Sequence, residues 1–415
     1  MIHSQTLPMP NPLTSMQKAA RSIAFSCLSK LQHGSLTIVE SFDSQVSKET
    51  HMQFGNAIDK KGSAVIKIKH PDFYSRLLKG GSISAGEAYM DGWWDSPDLT
   101  ALMQLMALNL STIDVIENKS SILSKLAYKF GHWLNRNTVL NSAKNIQAHY
   151  DLSNELYQTF LDKRMLYSSG YYHTDSDTLE QAQINKMERL CQQLKLSETD
   201  SVIEIGTGWG AMAIYIAEHY GCHVTTTTIS NQQYQYAKQQ IEQKGLEDKI
   251  TLLQKDYRLL EGKYDKLVSI EMIEAVGKQF LQSYLAKCQS LLKSGGLMAI
   301  QAITIADQRY VSYSNSVDFI QKYIFPGGFL PSITALTQST TKHTDFVLRD
   351  LFDLGQDYAR TLKDWQTRFN HAEKQVLKLG FDERFIRMWN YYFCYCEGGF
   401  KARSISTVHM TLQRP

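Results

Sequence analysis

The chain has 415 residues, 43% of them hydrophobic, with 44 Lys+Arg against 41 Asp+Glu and a formal net charge of +3. This length allows two or three domains and a large core, and so small a charge gives no argument for nucleic acid as the main partner. No apolar run reaches the length of a membrane span.

Residues 1–30 begin "MIHSQTLPMPNPLTSMQKAARSIAF". They lack the compact apolar segment of a secretory leader and read as a flexible or loosely helical lead. Residues 31–118 carry the β-like pieces "GSLTIVES" and "SAVIKIKH", then "GGSISAGEAYMDGWWDSPDLTALMQLM". This pattern predicts a small α+β domain closed by helices. Residues 119–150 form a basic helical connector with five Lys/Arg and no Asp or Glu, and Leu123, Leu126, Tyr128, Phe130, Trp133 and Leu134 give it apolar bulk. Two readings stand: an amphipathic helix on an anionic membrane surface, or a domain-bridging helix whose basic face is solvated. The cysteines (Cys27, Cys191, Cys222, Cys288, Cys394 and Cys396) show no zinc-like C-x-x-C spacing. They predict reduced thiols, no metal site and a cytoplasmic protein.

From about residue 180 helical and strand patterns alternate, which predicts an α/β fold with a mostly parallel, doubly wound sheet. The stretch "VIEIGTGWG", Val202 to Gly210, is an apolar strand with one acid, Glu204, that breaks into glycines and enters a helix. The dinucleotide fingerprint is G-x-G-x-x-G with an acid about 20 residues on. Here Gly206-x-Gly208-x-Gly210 is one residue short, and the next strand, "HVTTTTIS", carries no acid. That weakens a nicotinamide reading. The pattern resembles motif I of S-adenosylmethionine (SAM) methyltransferases; the alternative is a tight strand-to-helix turn. Ligands of such sheets lie at the carboxyl ends of the strands. Gly206–Gly210, Thr228–Gln233, Asp256–Tyr257, Glu271–Glu274 and Gln301–Ile303 all fall there.

Several further segments converge in order and spacing: "HYDLSNELYQTFLDKRMLYSSGYY", "LEQAQINKM", "TTISNQQ", "DYRLLEGKYDKLVSIEMIEAVG", "KYIFPGGFLPS", "DYARTLKDWQTRF" and "EGGFKARSI". With "GGSISAGEAYMDGWWDSPDLTALMQL" they make the chain resemble the cyclopropane fatty acid synthases and mycolic acid methyltransferases over nearly its whole length. The resemblance implies a class I SAM methyltransferase fold over 151–415, with helical insertions. The small domain at 31–118 would then serve lipid binding or dimerisation.

The implied reaction is attack of a cis double bond of a phospholipid acyl chain on the sulfonium methyl. A carbocation follows, and it needs a dry, aromatic-lined site. By the same resemblance Gly206, Gly208 and Gly210 let backbone approach the methionyl part of SAM, and Glu204 supports that loop. Thr228 and Gln233 contact the ribose side, Asp256 and Tyr257 the adenine edge, and Tyr167 and Ser168 cover the cofactor. Taken singly, the threonine also fits plain β propensity and the tyrosines fit core packing.

The resemblance also implies a bicarbonate that serves deprotonation. Its ligands are a cysteine after Tyr-Ser, a glutamate in an E-x-V-G turn, a histidine on a later strand with nearby backbone, and a tyrosine near the C-terminal helices. Glu274 and Tyr358 fit, and Ile303 supplies the nearby backbone. The cysteine position is Ser169, the histidine position is Gln301, and Ala275 follows Glu274 where the synthases often have histidine. Serine offers a hydroxyl and glutamine an amide, but a neutral glutamine cannot store a proton. An anion could still be held, so bicarbonate is possible but doubtful here, and the expected chemistry is methyl transfer with an altered outcome: methyl-branched, methylene or furan-precursor products. A conventional cyclopropane synthase is the alternative. A SAM-dependent small-molecule methyltransferase and a catalytically dead binding protein fit the motifs less well. The expected partners are unsaturated phospholipid acyl chains, the inner face of a membrane and, as an open possibility, a second copy of the chain.

Overall fold

The computed structural model describes residues 13–42, 50–56, 62–110, 112, 114 and 152–415. The basic connector at 119–150 lies outside the described residues. Two compact units are present, one comprising the described residues up to 114 together with Asp382–Ala402, the other residues 152–381 together with Arg403–Pro415.

In the first unit Thr14 caps the helix Ser15–Leu28. Its hydroxyl accepts from Gln17 N–H, and the Gln17 side chain accepts from Thr14 N–H. This reciprocal capping box satisfies two otherwise orphan donors. Ala20, Ala24, Cys27 and Leu28 fall on one buried face. Within the segment expected to be flexible or loosely helical up to residue 30, Ser15–Leu28 is thus a docked helix. Its anchor is a set of small apolar residues at helical spacing, a weaker signal than a run of leucines. A four-stranded sheet follows in the order β2-β1-β3-β4, from β1 (Ser35–Glu40), β2 (Thr50–Gly55), β3 (Ser63–Ile68) and β4 (Trp94–Asp95).

The helix Glu383–Lys401 belongs to this unit, although the sequence placed everything from 151 to 415 in the catalytic domain. The physical reason is close packing at a glycine. A Cβ on Gly398 would stand 2.6 Å from Gln104 N and from Met103 Cβ, so only a bare backbone lets this helix lie against Leu99–Leu108. Arg387 adds hydrogen bonds to Tyr89 O and Asp95 Oδ1 at 2.6 and 2.7 Å. The buried Glu397 accepts from Thr100 Oγ1 at 2.8 Å. The "EGGFKARSI" segment is therefore packing for the N-terminal unit in its first half.

In the second unit, side chains along each strand alternate between two cores, as a period of two requires. Val202, Val268, Leu297 and Ala299 enter one apolar cluster. Ile203, Ile205, Leu267, Met298 and Ile300 enter the other. Helices cover both faces of a seven-stranded sheet in the order β10-β11-β9-β8-β5-β6-β7. Strands β5 (Ser201–Ile205), β6 (His223–Thr228), β7 (Ile250–Gln254), β8 (Tyr264–Ile270) and β9 (Leu292–Ile305) run parallel. Strands β10 (Val347–Asp353) and β11 (Ile405–Gln413) close the edge antiparallel. This is the expected α/β doubly wound sheet, and it sets the carboxyl ends of β5, β6, β8 and β9 side by side.

Candidate active site

The glycine loop leaves β5 and enters the helix Ala211–Tyr220. Gly206, Gly208 and Gly210 have φ of 101°, 53° and 95°, the left-handed region where a side chain is strained. Gly206 N–H and Thr207 N–H both donate to Thr227 O, at 3.1 and 3.0 Å, which ties the loop to β6. A Cβ at Gly206 would crowd Met272, and one at Gly210 would crowd Ala237, each at 3.2 Å. At Gly208 a Cβ would meet no protein atom within 4 Å, so this position faces open space.

Glu204 lies beneath the loop. Its Oε2 accepts from Thr226 Oγ1 at 2.6 Å, and the Thr226 hydroxyl lies 2.7 Å from that of Thr207. Burial pushes this carboxyl up to about 8, against the opposing hydrogen bond from Thr226. Glu204 therefore braces the loop through two threonines.

At the end of β6, Thr228 Oγ1 donates to Gln233 Oε1 at 2.9 Å, and both residues are buried. Ser230 caps the helix Asn231–Gln243. After β7, Asp256 grips its neighbour Arg258, with the guanidinium Nη2 at 2.6 Å. Burial alone would raise the Asp256 carboxyl, but the Arg258 hydrogen bonds hold it below the usual range. The Tyr257 ring meets Tyr284 edge-on at 5.3 Å.

Tyr167 and Ser168 sit on the loop that precedes the helix Leu179–Leu194. The Tyr167 ring lies 5.3 Å from Tyr157, 5.2 Å from Trp365 and 6.1 Å from Phe325. Trp365 continues the aromatic wall to Tyr358 at 6.0 Å. Ser168 Oγ accepts from Lys186 Nζ at 2.6 Å. Burial pushes this fully buried ammonium down to about 8, while Glu271 and Asp162 hold it up.

The loop's position is fixed from its far side. Gly170 N–H donates to Thr361 Oγ1 at 3.1 Å and Tyr172 N–H to Asp357 Oδ1 at 2.8 Å, both on the helix Gly355–His371 that carries Tyr358. A Cβ on Gly170 would stand 2.8 Å from Ala182 Cβ, so the approach needs glycine.

Three of the residues expected around bicarbonate, Ser169, Gln301 and Tyr358, do converge, but on another residue of the chain. Glu271 Oε1 accepts from Ser169 N–H at 2.9 Å and from Gln301 Nε2 at 2.7 Å. Its Oε2 accepts from Tyr358 OH at 2.8 Å. Ser169 contributes its backbone, because its hydroxyl donates to Gly170 O instead, at 2.9 Å. The residues present therefore do not fit a free bicarbonate in the expected place: the serine N–H, the Gln301 amide and the tyrosine hydroxyl are already used by the Glu271 carboxylate.

Glu274 lies one short turn further on. One of its oxygens accepts from Ile303 N–H, and its Oε2 is buried without a partner. Burial, then the charge of Glu271, pushes Glu274 up to about 8. Glu271 is also raised by burial, but Ser169, Tyr358, Gln301 and the Lys186 ammonium oppose the rise. Such a coupled pair carries its first proton on the carboxyl with fewer donors. Three donors reach the Glu271 carboxylate and one reaches Glu274, so the hydrogen bonds favour the charged form at Glu271 over Glu274.

Gln301 is held by a residue that the sequence reading left out. His409 lies opposite it on β11, and His409 Nε2 is 2.8 Å from Gln301 Oε1. Burial pushes this imidazole well below its ordinary pKa, and because acceptors stand on the far side of the amide, its oxygen faces the ring and takes Nε2–H as donor. The amide NH₂ must then face Glu271 Oε1 and Ser169 O, the latter at 3.2 Å. A flipped amide would set oxygen against both of these acceptors.

Glu271 was the larger omission. Its signal in the sequence was a second acid three residues before Glu274, in "SIEMIEAVG". It directly follows β8 and has a φ of 48°. That conformation costs a non-glycine residue roughly 1–2 kcal/mol, and such strain concentrates at functional positions.

Comparison with known proteins gives a consistent result. A sequence model of the mycolic acid cyclopropane synthetase family matches residues 138–410. The tuberculostearic acid methyltransferase UfaA1 of Mycobacterium tuberculosis is 36% identical over 84% of this chain and 82% of its own. The cyclopropane-fatty-acyl-phospholipid synthase of Escherichia coli is 35% identical over 89% of this chain and 93% of its own. The solved mycolic acid cyclopropane synthase CmaA1, complexed with SAH and CTAB, superimposes with a TM-score of 0.61 at 26% identity, over 66% of this chain and 98% of its own.

Proposed function

The chain belongs to the mycolic acid cyclopropane synthetase family, and from that premise we propose that its site methylates an acyl double bond and resolves the resulting cation without closing a ring. It is a SAM-dependent enzyme that transfers a one-carbon unit to unsaturated fatty acyl chains. One of its relatives is named a methyltransferase and the other a cyclopropane synthase. Likeness therefore does not choose between products, and the acceptor residues must.

In this reading Gly206, Gly208 and Gly210 receive the methionyl part of SAM at the N-terminus of the helix Ala211–Tyr220, braced by Glu204. Thr228 and Gln233 meet the ribose, Asp256 and Tyr257 the adenine edge, and Tyr167 with Ser168 closes over the cofactor. The wall from Tyr157 through Tyr167 and Trp365 to Tyr358 supports this assignment, since aromatic faces stabilise a cation and exclude water. The observation that carries the altered outcome is Gln301, an amide locked between His409 and Glu271 where the family has a titratable ring.

Deuterated-methyl SAM with monounsaturated phospholipid vesicles tests the product. A methyl branch formed by proton loss elsewhere keeps all three deuteriums. A methylene group keeps two and shows a new double bond. A saturated ring product that keeps two identifies an ordinary cyclopropane synthase and ends this reading.

The reaction is proposed to occur at an anionic membrane surface, the inner face of the cell membrane, with the protein peripheral to it. Among the described residues no helix is long and apolar enough to cross a membrane. Support comes from the acid-free sequence at 119–150. Each basic group near such a surface contributes about 1 kcal/mol, less as salt screens it. Replacing Lys125, Lys129 and Arg136 with Glu is expected to weaken vesicle binding by roughly 100-fold or more, at about tenfold per 1.4 kcal/mol, and to leave SAM binding intact. Equal binding in a sedimentation assay would rule out this stretch as the lipid contact.

A further inference from the structure

We propose that Glu271 is the proton acceptor of this reaction, a carboxylate built into the chain that takes the place of a free anion. The inference rests on the reading of the site as methyl transfer to an alkene, whichever product results.

Three donors from three separate elements converge on the Glu271 carboxylate: Ser169 N–H from the covering loop, Gln301 Nε2 from β9 and Tyr358 OH from the helix Gly355–His371. Donors of this kind favour the ionised form. Glu271 keeps part of its surface accessible, whereas Ser169, Gln301, Tyr358 and His409 are all buried. It is thus the least enclosed member of a buried polar network. One of its supports, Gln301, is itself held and is also tied to the Glu271 backbone. The Gln301 amide is oriented by His409 Nε2–H, and Glu271 N–H donates to Gln301 O at 2.8 Å. Gln301 and His409 are positioning residues that act through Glu271. A buried carboxylate placed on strained backbone is a poor way to hold a fold, since apolar packing would serve as well or better. Its placement beside the aromatic wall fits a chemical role.

The chemistry balances without another reactant. The alkene π pair forms the new C–C bond to the sulfonium methyl, and the S–C pair leaves with sulfur. The neighbouring carbon becomes cationic. A C–H bond next to the cation, or one on the new methyl, then breaks; its electron pair forms a new double bond in the first case or the ring bond in the second, and the proton passes to a Glu271 oxygen. The proton returns to solvent when the site opens. The three donors on its carboxylate favour the ionised form in which Glu271 must begin the cycle.

The experiment uses the full-length protein, SAM and vesicles of monounsaturated phosphatidylglycerol and phosphatidylethanolamine, in buffer stripped of carbon dioxide and bicarbonate. The wild type is expected to release S-adenosylhomocysteine and methylated lipid at the same rate with or without added bicarbonate. Glu271→Gln, which keeps the shape and loses the acceptor, should lower kcat by about 100-fold to 10,000-fold, with SAM affinity by calorimetry unchanged. Glu271→Gly suits the left-handed backbone and opens a carboxylate-sized space under the same donors. It should be nearly inactive in stripped buffer and recover with added bicarbonate or formate, a rescue that a merely structural role would not allow. A wild type that stalls without bicarbonate and recovers with it, or a folded Glu271→Gln protein with wild-type kcat, overturns the proposal. A wild type that makes no methylated lipid in any buffer overturns the methyl-transfer reading itself, before any variant is compared.

Discussion

Gly208→Val is expected to lower SAM affinity by roughly 100-fold or more, about 2.7 kcal/mol, in a protein that still folds. Gly208 has φ of 53°, and a Cβ there would meet no protein atom within 4 Å. The added side chain would not clash with the chain; it would fill the space where backbone must approach the cofactor. A left-handed valine also strains the loop by about 1–2 kcal/mol, so Gly208→Ala is the control. Alanine pays most of the same backbone strain with one carbon. Thermal melts of the two variants should be close, while calorimetry should show a much larger loss of SAM binding for valine. Equal SAM binding by wild type and a folded Gly208→Val protein would remove the loop from the cofactor site.

Tyr358→Phe is expected to lower kcat by roughly 10-fold to 100-fold and to leave SAM affinity near the wild-type value. The hydroxyl it removes donates to Glu271 Oε2 at 2.8 Å. Hydrogen bonds to charged groups are worth about 1.5–3 kcal/mol. The sign of the pH effect separates this from simple damage. Burial raises the Glu271 carboxyl, and the Tyr358 hydroxyl is among the groups that oppose the rise, with Ser169, Gln301 and Lys186. Without it the Glu271 pKa rises further. Activity that needs Glu271 ionised then gains its acidic limb at higher pH, and part of the lost rate returns as pH increases. The other titratable groups acting on Glu271 are Glu274 and Lys186. His409 touches it only through Gln301. A Tyr358→Phe protein with an unshifted kcat profile would separate the hydroxyl from the Glu271 equilibrium.

What the sequence determined by itself was local. Alternation of Val202, Ile203 and Ile205 set β5 and its two faces, and three glycines spaced by single residues announced the turn into the next helix. Order and spacing of the motifs placed the candidate cofactor residues at strand ends and gave the family. These features were legible because each depends on a few neighbouring residues and on the fixed periods of strand and helix. The partners of Gln301 and Glu271 were not. His409 is 108 residues from Gln301 and meets it only because β11 runs antiparallel to β9 in one register. Glu271 was in view as an acid at the end of β8, but it has a left-handed φ that no side-chain pattern specifies. Tyr358 reaches it across 87 residues. The helix Glu383–Lys401 was assigned by its position in the chain, yet Gly398 fits it against Met103 of the first unit. Strand register, backbone handedness at one residue and the choice of packing partner are decided by the burial of distant segments against each other, and neither segment records that choice alone.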